Sequence, residues 1–269
     1  MNYERELEFA RRMAAVAGEN ARRIRAGGIS AETKPDASPV TIADRENERL
    51  IREAVEREFP ADGILGEEGS SKASASGRRW IIDPIDGTRD FVRGNRFWCV
   101  LIALEEADES LIGVAHFPML DETYWAARGS GSYLNGERLR ASTVASIGEC
   151  AFCPSALHLP AARPYLTPVI VEFMQRSWAV RSFGGALDAC LVAAGQVDVW
   201  FEPKVEPWDL AAPKLIIEEA GGVFFALDGS RSIYQGKAIG CAPGVASEVR
   251  QAFGIPAAAD RPLTASPPS

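Results

Sequence analysis

The 269-residue chain is long enough for one large domain or two closely packed halves. Hydrophobic residues form 46% of it and charged residues 25%, which excludes a disordered, collagen-like or disulfide-framework protein. With a net charge of −8 and no Lys/Arg stripe, nucleic acid and anionic membranes are not expected partners. We read neither a bilayer-spanning apolar run nor a secretory signal, and therefore expect a cytoplasmic protein.

Two helices are predicted at the start of the chain. Residues 7–24 place apolar side chains at spacings of three and four, which indicates a helix that ends at Gly27-Gly28. A polar connection over residues 30–40 follows. Thr41 to Asp44 then has the pattern of a capping box that opens a second helix, which Pro60 ends. The predicted buried face of this helix consists of Leu50, Ile51, Ala54, Val55 and Phe59.

The middle of the chain changes to short β-like runs, over 80–82, 99–104, 111–117 and 123–126, and Asn135-Gly136 is typical of a tight hairpin. From about residue 145 the patterns alternate between helices (near Phe173, 186–194, 210–220) and strands (180–183, 197–201, 223–226). They predict a mixed α/β (α+β) protein in which helices precede a largely antiparallel sheet. We expect an N-terminal part, 1–145, and a C-terminal part, 146–256. The Ala-, Pro- and Ser-rich end, from Ile255 and assigned as a tail over 257–269, is predicted to be disordered.

The cysteines and histidines predict no complete metal site. Five scattered cysteines favour reduced thiols over a disulfide framework. Cys150 and Cys153 have the CxxC spacing of a redox pair or half a zinc site, but no second pair completes it. His116 and His158 have no visible partners, so we interpret them as structural residues.

Three segments place acidic residues beside glycines and turn formers: 66–69, 80–88 and 206–212. In the second segment, Pro84 is expected to turn the chain after a strand, which holds Asp83 and Asp86 at one strand end. This loop offers the oxygen ligands that Mg²⁺ prefers, from Asp83, Asp86, the Ile85 carbonyl and the Thr88 hydroxyl. Gly87 adds a backbone N–H that a phosphate can approach without hindrance from a side chain.

Each segment also has a purely structural interpretation. Asp83 and Asp86 are ordinary turn residues, and Asp209 precedes an apolar helical run as an N-cap, with Pro213 tolerated in the first turn. Asp44 is the capping-box acid of its helix. The two glutamates of the first segment fit a solvated loop as well as a ligand pair. Because a helix start also binds anions, a cap and a binding site are compatible.

Taken together, the segments resemble the inositol monophosphatase family of magnesium-dependent phosphatases. The string WIIDPIDGT over 80–88 is highly specific, and residues 66–68, 208–212 and 218–222 stand where other family signatures stand. Residues 34–36, 38–44, 91–94 and 125–129 look most like the bacterial histidinol-phosphate phosphatase branch. The resemblance runs from the first helix to about residue 255 and implies a layered α-β-α-β-α sandwich.

The resemblance also implies a role for each site residue. The metal ligands would be the carboxylates of Glu67, Asp83, Asp86 and Asp209 and the carbonyl of Ile85. Two or three Mg²⁺ are implied, because crowded carboxylates would otherwise repel one another and the phosphate. Gly87 and Thr88 would meet the phosphate. A water near Glu67 and Thr88, with Asp44 orienting Thr88, would attack phosphorus in line, while a metal near Asp209 stabilises the departing alkoxide.

The implied substrate is a small phosphorylated alcohol. Glu202 stands where the family's inositol phosphatases contact a hydroxyl and the histidinol-phosphate branch contacts the amine, although it also fits a strand-end charge. That branch usually has an Asp where this chain has Gly185, and Asp188 is a possible substitute. The predicted substrate-contact residues are Gly87, Thr88, Gly184, Gly185, Asp188, Glu202 and Asp209.

L-histidinol phosphate, an intermediate of histidine biosynthesis, is the expected substrate. The alternatives are myo-inositol monophosphate, a 3′-phosphoadenosine nucleotide, and a regulatory binding module without catalysis. The family's usual dimer implies a homodimer.

Overall fold

The computed structural model describes residues 3–35 and 38–256, apart from the side chains of residues 166 and 167. The helices are α1 (Glu4–Ala26), α2 (Ile42–Glu58), α3 (Thr88–Arg93), α4 (Arg163–Tyr165), α5 (Val171–Arg176), α6 (Gly185–Ala193), α7 (Pro207–Glu219) and α8 (Ala246–Phe253). The strands are β1 (Ala31–Thr33), β2 (Pro39–Thr41), β3 (Gly63–Gly66), β4 (Ser71–Lys72), β5 (Arg78–Asp86), β6 (Cys99–Glu106), β7 (Glu109–Phe117), β8 (Glu122–Ala127), β9 (Gly131–Leu134), β10 (Glu137–Arg138), β11 (Ala151–Pro154), β12 (Ala179–Val180), β13 (Val199–Glu202), β14 (Val223–Phe225) and β15 (Ala238–Cys241).

Two sheets and three layers of helices are stacked on one another. Helices α1 and α2 pack on one face of an eight-stranded sheet with the order β10-β9-β8-β7-β6-β5-β3-β4. Helices α6 and α7 lie between this sheet and a five-stranded sheet with the order β12-β11-β13-β15-β14. Helices α5 and α8 cover the outer face of the second sheet. This arrangement confirms the α-β-α-β-α sandwich that the resemblance implied.

The central strands are apolar on both faces because helices cover both sides of each sheet. In β6, Val100 and Ile102 pack with α1 and α2, whereas Leu101 packs with α6 and α7. In β13, Trp200 packs in the core around α6 and α7. Phe201 packs in the core between the second sheet and helices α5 and α8, which is called the outer core below. Period-2 alternation therefore divides the apolar residues among three cores.

The predicted first helices, the strands of the large sheet and the tight hairpin are all confirmed. Asn135 and Gly136 both have positive φ, 50° and 95°, as the hairpin turn requires. The connection over 30–40 was predicted without strands, but β1 and β2 pair there in antiparallel fashion. The sequence did not predict β3, β4, β11 or β15, and of the predicted strand 180–183 only Val180 lies in a strand, β12.

The buried face of α2 differs from the prediction near the start of the helix. Ile51, Ala54 and Val55 are buried as expected, as is Phe59 just after the helix, whereas Leu50 is only half-buried. The buried positions in the first turns are mostly polar, and they pack toward the site described below.

The C-terminal end and the division into two parts were also predicted. Ile255 is buried in the outer core, so the predicted tail does not begin there; residues 257–269 lie outside the described residues. The division into residues 1–145 and 146–256 stays a prediction. In the described parts of the chain, no helix is long and apolar enough to cross a membrane.

Candidate active site

A cavity of about 300 Å³ opens where the two sheets approach each other. Its walls come from the turn after β3, the end of β5, the start of α3, the loop before α6, the end of β13 and the start of α7. Six acidic residues line it: Glu67, Asp83, Asp86, Asp90, Glu202 and Asp209. All four carboxylates that the resemblance assigned to metal binding are therefore brought into one cavity.

Strand β5 presents Asp83 and Asp86 to this cavity. The sequence predicted that Pro84 would end the strand, but β5 continues to Asp86 and its pairing with β6 shifts register between the two aspartates. Proline is tolerated at such a bulge because no ladder hydrogen bond needs its missing N–H. The irregularity allows both side chains, three positions apart, to line the same cavity.

Asp83, Asp86 and Asp209 form the tightest part of the acidic cluster. One carboxylate oxygen from each lies within 4.8 Å of the others. Each carboxylate accepts a backbone hydrogen bond: Asp83 Oδ1 from Ile85 N (2.9 Å), Asp86 Oδ2 from Ala186 N (3.0 Å) and Asp209 Oδ2 from Glu206 N (2.8 Å). These bonds orient the side chains around a common centre.

Asp209 is not the N-cap that the sequence predicted. Helix α7 begins at Pro207, so the N-cap is Glu206 and Asp209 is the third helical residue. Pro207 occupies the favoured first position, and Pro213 lies inside the helix rather than in its first turn. The side chain of Asp209 still accepts the Glu206 N–H, so it stabilises the helix start while it faces the cavity.

Burial raises the pKa of all three aspartates. Loss of water is the largest cause for each, and repulsion from neighbouring carboxylates adds to it. The pKa of Asp83 rises well above its ordinary value, that of Asp86 to about 6 and that of Asp209 to about 8. A bound cation would relieve this repulsion. The donor set, oxygen atoms of crowded carboxylates, fits a hard divalent cation.

Glu67 approaches the cluster from the turn between β3 and β4. Lys34 Nζ lies 2.9 Å from Glu67 Oε1 and 2.5 Å from Glu68 Oε1, so one ammonium offsets part of the charge of both glutamates. Burial nevertheless raises the pKa of Glu68 to about 7. The sequence indicated Lys34 only as part of a branch-like motif, not as a contact of Glu67.

Thr88 and Asp44 are joined as the resemblance implied. Thr88 Oγ1 lies 3.1 Å from Asp44 Oδ1 and 3.1 Å from the Ile85 carbonyl oxygen. Asp44 Oδ2 also accepts the N–H of Thr41 at 2.8 Å and its hydroxyl at 2.5 Å. Both interpretations of Asp44 are thus present, because the capping-box acid of α2 also contacts Thr88. Gly87 lines the cavity and adopts φ 85°, a conformation that favours glycine.

Asp188 does not line the cavity, which makes it a poor substitute for a substrate-binding acid. It is fully buried, and its oxygens accept hydrogen bonds from Phe183 N (3.0 Å), Gly184 N (3.2 Å) and Ser155 Oγ (3.1 Å). Asp188 therefore holds the backbone of the loop before α6 through these hydrogen bonds. The predicted direct contact of Asp188 with substrate is not supported.

Gly184 and Gly185 line the cavity at the positions that the sequence predicted. A Cβ atom at Gly185 would lie 2.8 Å from Asp86 Oδ2, and φ there is 36°. In this chain a side chain at Gly185, where the histidinol-phosphate branch is expected to have an aspartate, would crowd Asp86.

Glu202 lines the same cavity from the end of β13. It ends β13, is 4% exposed, and burial raises its pKa well above the ordinary value. Ser155 follows β11, which runs parallel to β13, so the two strand ends place Ser155 beside Glu202. Ser155 was not predicted as a site residue because the sequence did not predict β11, whose parallel pairing with β13 brings Ser155 next to Glu202.

Two other lining residues were missed or interpreted differently. Asp90 was not singled out, and its Oδ1 accepts a hydrogen bond from Asn95 Nδ2 at 2.6 Å. His158 was interpreted as structural but lines the cavity. His116 lies in β7 with Nδ1 2.8 Å from Thr123 Oγ1, as expected of a structural histidine.

The CxxC spacing does not form a site. Cys150 packs in the outer core and Cys153 in the core around α6 and α7, so they face opposite sides of the five-stranded sheet. All five cysteines are buried and free. Neither a redox pair nor half a zinc site forms at these two positions.

Buried carboxylates line a cavity together with glycines and a threonine, between two sheets of a layered sandwich, and this donor set could hold cations beside an anionic ligand. The inositol monophosphatase family model matches residues 2–257. The chain belongs to this family of metal-dependent phosphatases and is itself a phosphatase.

Three similar proteins illustrate the range of the family. The chain is 42% identical over 224 residues to a histidinol-phosphatase of Mycobacterium tuberculosis, with 81% of this chain and 86% of the relative covered. It is 39% identical over 195 residues to a fructose-1,6-bisphosphatase/inositol-1-monophosphatase of Thermotoga maritima, covering 72% and 73%. The crystal structure of extragenic suppressor protein suhB from Bartonella henselae matches with a TM-score of 0.87 at 30% identity, covering 93% and 98%.

Proposed function

We propose that this phosphatase hydrolyses L-histidinol phosphate with bound Mg²⁺, and thereby acts in histidine biosynthesis. The observation that carries the proposal is the placement of a buried carboxylate, Glu202, in the same cavity as the Asp83, Asp86 and Asp209 cluster. The cluster suits the phosphate end of a substrate through cations, and Glu202 suits a cationic group at the alcohol end.

Two or three Mg²⁺ are proposed to bind the carboxylates of Glu67, Asp83, Asp86 and Asp209 and the Ile85 carbonyl. When bound, the ions supply a water of lowered pKa and a positive charge for the phosphate and the leaving oxygen. The geometry favours the three aspartates of this set, because one carboxylate oxygen of each lies within 4.8 Å of the others while a backbone N–H orients each side chain.

The chain's own residues are proposed to orient the reacting groups. Asp44 accepts the Thr88 hydroxyl and fixes it beside Glu67, so that the two side chains can hold a water for attack on phosphorus. The N–H of Gly87 is available to a phosphate oxygen because no side chain shields it. Gly184 and Gly185 line the cavity without side chains, so no Cβ atom at either position crowds the substrate or Asp86.

Glu202 is proposed to select the alcohol. Its burial disfavours the ionised carboxylate, and an ammonium group beside it would offset that cost, whereas a hydroxyl offers only a neutral hydrogen bond. With Asp188 held by backbone donors, Glu202 is, apart from the proposed metal ligand Asp209, the predicted acidic contact that lines the cavity. The name of the Mycobacterium tuberculosis relative supports the same substrate.

myo-Inositol monophosphate is the second candidate substrate. The Thermotoga maritima relative carries that activity in its name, and the absence of a side chain at Gly185 removes an acidic residue expected in the histidinol-phosphate branch. A protonated Glu202 would also donate a hydrogen bond to a ring hydroxyl.

The test is a comparison of kcat/KM for L-histidinol phosphate, myo-inositol 1-phosphate, fructose 1,6-bisphosphate and a 3′-phosphoadenosine nucleotide at saturating Mg²⁺. We expect L-histidinol phosphate to give the largest value. A larger kcat/KM for an inositol phosphate contradicts the substrate proposal, and release of phosphate from none of the four favours a binding module without catalysis.

We also propose that the protein is a homodimer in the cytoplasm and that nucleic acid is not a partner. Light scattering of the purified protein should give twice the chain mass of 29.0 kDa. A monomer at micromolar concentration would contradict the dimer, and cell fractionation tests the compartment.

A further inference from the structure

Helix α2 buries polar side chains where its apolar stripe should continue. Asp44, Asn47 and Glu48 occupy positions i, i+3 and i+4 of one face, and each is at most 2% exposed. Burial of such groups is costly unless hydrogen bonds replace water. Toward the end of the helix, the same face carries Ile51 and Val55 in the usual way.

Each of these polar side chains reaches a different segment of the acidic site. Asp44 accepts the Thr88 hydroxyl, and Asn47 Nδ2 lies 3.5 Å from the carbonyl oxygen of Pro84, between the two aspartates of β5. Glu48 reaches the turn that carries Glu67. The polar face of α2 thus contacts three of the segments that line the cavity.

The carboxylate of Glu48 is fully engaged with that turn. Glu48 Oε2 accepts the N–H of Glu68 at 2.6 Å, and Oε1 accepts the N–H of Ser70 at 2.8 Å. Gly66 packs directly against it, since a Cβ atom there would lie 2.5 Å from the carboxyl carbon and Oε2. The backbone of the turn is therefore hydrogen-bonded to the Glu48 carboxylate and packs closely against it.

Glu67 is fixed between two anchors as a result. Its own N–H binds the carbonyl oxygen of Ile82 in β5 at 3.2 Å, and the N–H of the next residue, Glu68, binds Glu48. With the backbone held on both sides, the direction in which the Glu67 side chain leaves the turn is set.

We propose that Glu48 is a positioning residue: it holds the turn after β3 so that Glu67 is aligned with Asp83, Asp86 and Asp209 for cation binding. The proposal rests on the proposed metal-dependent function. It predicts that a change at Glu48 weakens cation binding although Glu48 itself contacts no cation, because the outer partners of metal ligands determine how well the ligands converge.

The test is Glu48→Gln. The amide keeps one acceptor, but its NH₂ group faces a backbone N–H donor, so the turn must shift. We expect the Mg²⁺ dissociation constant, measured by calorimetry on chelator-stripped protein, to rise about ten- to a hundredfold. The Mg²⁺ concentration for half-maximal activity should rise by the same factor, while KM for the substrate at saturating Mg²⁺ changes less than about twofold.

Two further variants separate positioning from a general loss of stability. Asp62→Asn is the matched control: Asp62 is also a buried carboxylate, but it binds Arg78 and Trp80 at the far end of β5. It should lower the melting temperature and leave Mg²⁺ affinity unchanged. Gly66→Ala keeps every charge and pushes a methyl group against Glu48, so it should weaken Mg²⁺ binding even if Glu48→Gln does not fold.

The outcomes also separate this inference from the proposed function. If Glu48→Gln and Gly66→Ala bind Mg²⁺ as the unmodified protein does, the positioning role is wrong, whatever the melting temperatures. If the unmodified protein binds Mg²⁺ but releases phosphate from no tested ester, the proposed function fails, and the binding measurements still decide the role of Glu48.

Discussion

Replacing Asp209 with asparagine separates the two roles that the structure gives this residue. Asp209 accepts the Glu206 N–H at the start of α7, and it lies within 4.8 Å of the ligand oxygens of Asp83 and Asp86. Asparagine has nearly the same volume and retains an oxygen for the helix start. It removes the negative charge that a cation would need.

The expected magnitudes differ strongly between the two roles. Loss of a preorganised electrostatic stabiliser costs about 10²–10³-fold in kcat, or about 3–4 kcal/mol. Loss of a helix cap costs about 1 kcal/mol of stability and leaves turnover nearly normal. Because burial and neighbouring carboxylates raise the pKa of Asp209 to about 8, the metal-free fold carries unfavourable charge at pH 9, and asparagine removes it.

We therefore expect Asp209→Asn to lower kcat by at least a hundredfold at saturating Mg²⁺ while the melting temperature in EDTA at pH 9 stays equal or rises. Glu206→Gln is the control, since it changes the charge at the same helix start and leaves the cluster intact; its turnover should be near normal. Near-normal kcat for Asp209→Asn together with a lower melting temperature would show that Asp209 acts only at the helix start.

Three further predictions follow from buried carboxylates. The pKa values of Asp86 and Asp209, about 6 and about 8, exceed their unfolded values, so metal-free protein should lose stability as pH rises from about 4 to 8. The Mg²⁺-induced increase in melting temperature should therefore be larger at pH 8 than at pH 6. An equal increase at both pH values would contradict this prediction. Glu202→Gln should lower kcat/KM about ten- to a hundredfold for L-histidinol phosphate, from the loss of a charge-assisted hydrogen bond, and less for myo-inositol 1-phosphate; equal losses would argue against an ammonium contact. Asp188→Asn should cost about 1–3 kcal/mol in urea denaturation with KM nearly unchanged, and a raised KM at normal stability would restore its predicted substrate contact.

The elements that the sequence predicted are those with a clear period and a clear end. Helix α1 has an apolar stripe closed by two glycines, and α2 has a capping box. Two of the missed strands, β11 and β15, lack such signals: β11 contains Cys and Pro, and β15 is an Ala-Ile-Gly-Cys run of four residues. Their pairing with β13 stabilises them, and this pairing is not readable from local propensity.

The sequence predicted which acidic residues share the site better than it predicted the local geometry of the elements that carry them. Glu67, Asp83, Asp86 and Asp209 do share one cavity, yet neither the bulge in β5 nor the true start of α7 was predicted. The Glu-Pro pair at 206–207 was an available signal, since proline favours the first helical position. Asp188 is not among the residues that line the cavity, and the sequence could not show this because α6 is buried almost all round and has no polar face from which a direction can be read.

Six of the acidic residues around the site fall into two groups by how their oxygens are used. In one group both oxygens accept hydrogen bonds from the protein, which satisfies the buried charge and fixes a neighbouring segment: Asp44, Glu48 and Asp188. In the other group a backbone N–H binds one oxygen, and among the described residues the other oxygen accepts no N–H: Asp83, Asp86 and Asp209.

This difference has a physical consequence for where cations can bind. A carboxylate with both oxygens engaged has little to offer a cation, because binding would break hydrogen bonds that burial makes costly to lose. A carboxylate with one oxygen engaged is oriented and still has a ligand atom, and its raised pKa reflects a charge that the protein alone does not balance. We therefore expect cations to bind at the aspartates of β5 and α7, and the acids of α2 and α6 to align the site.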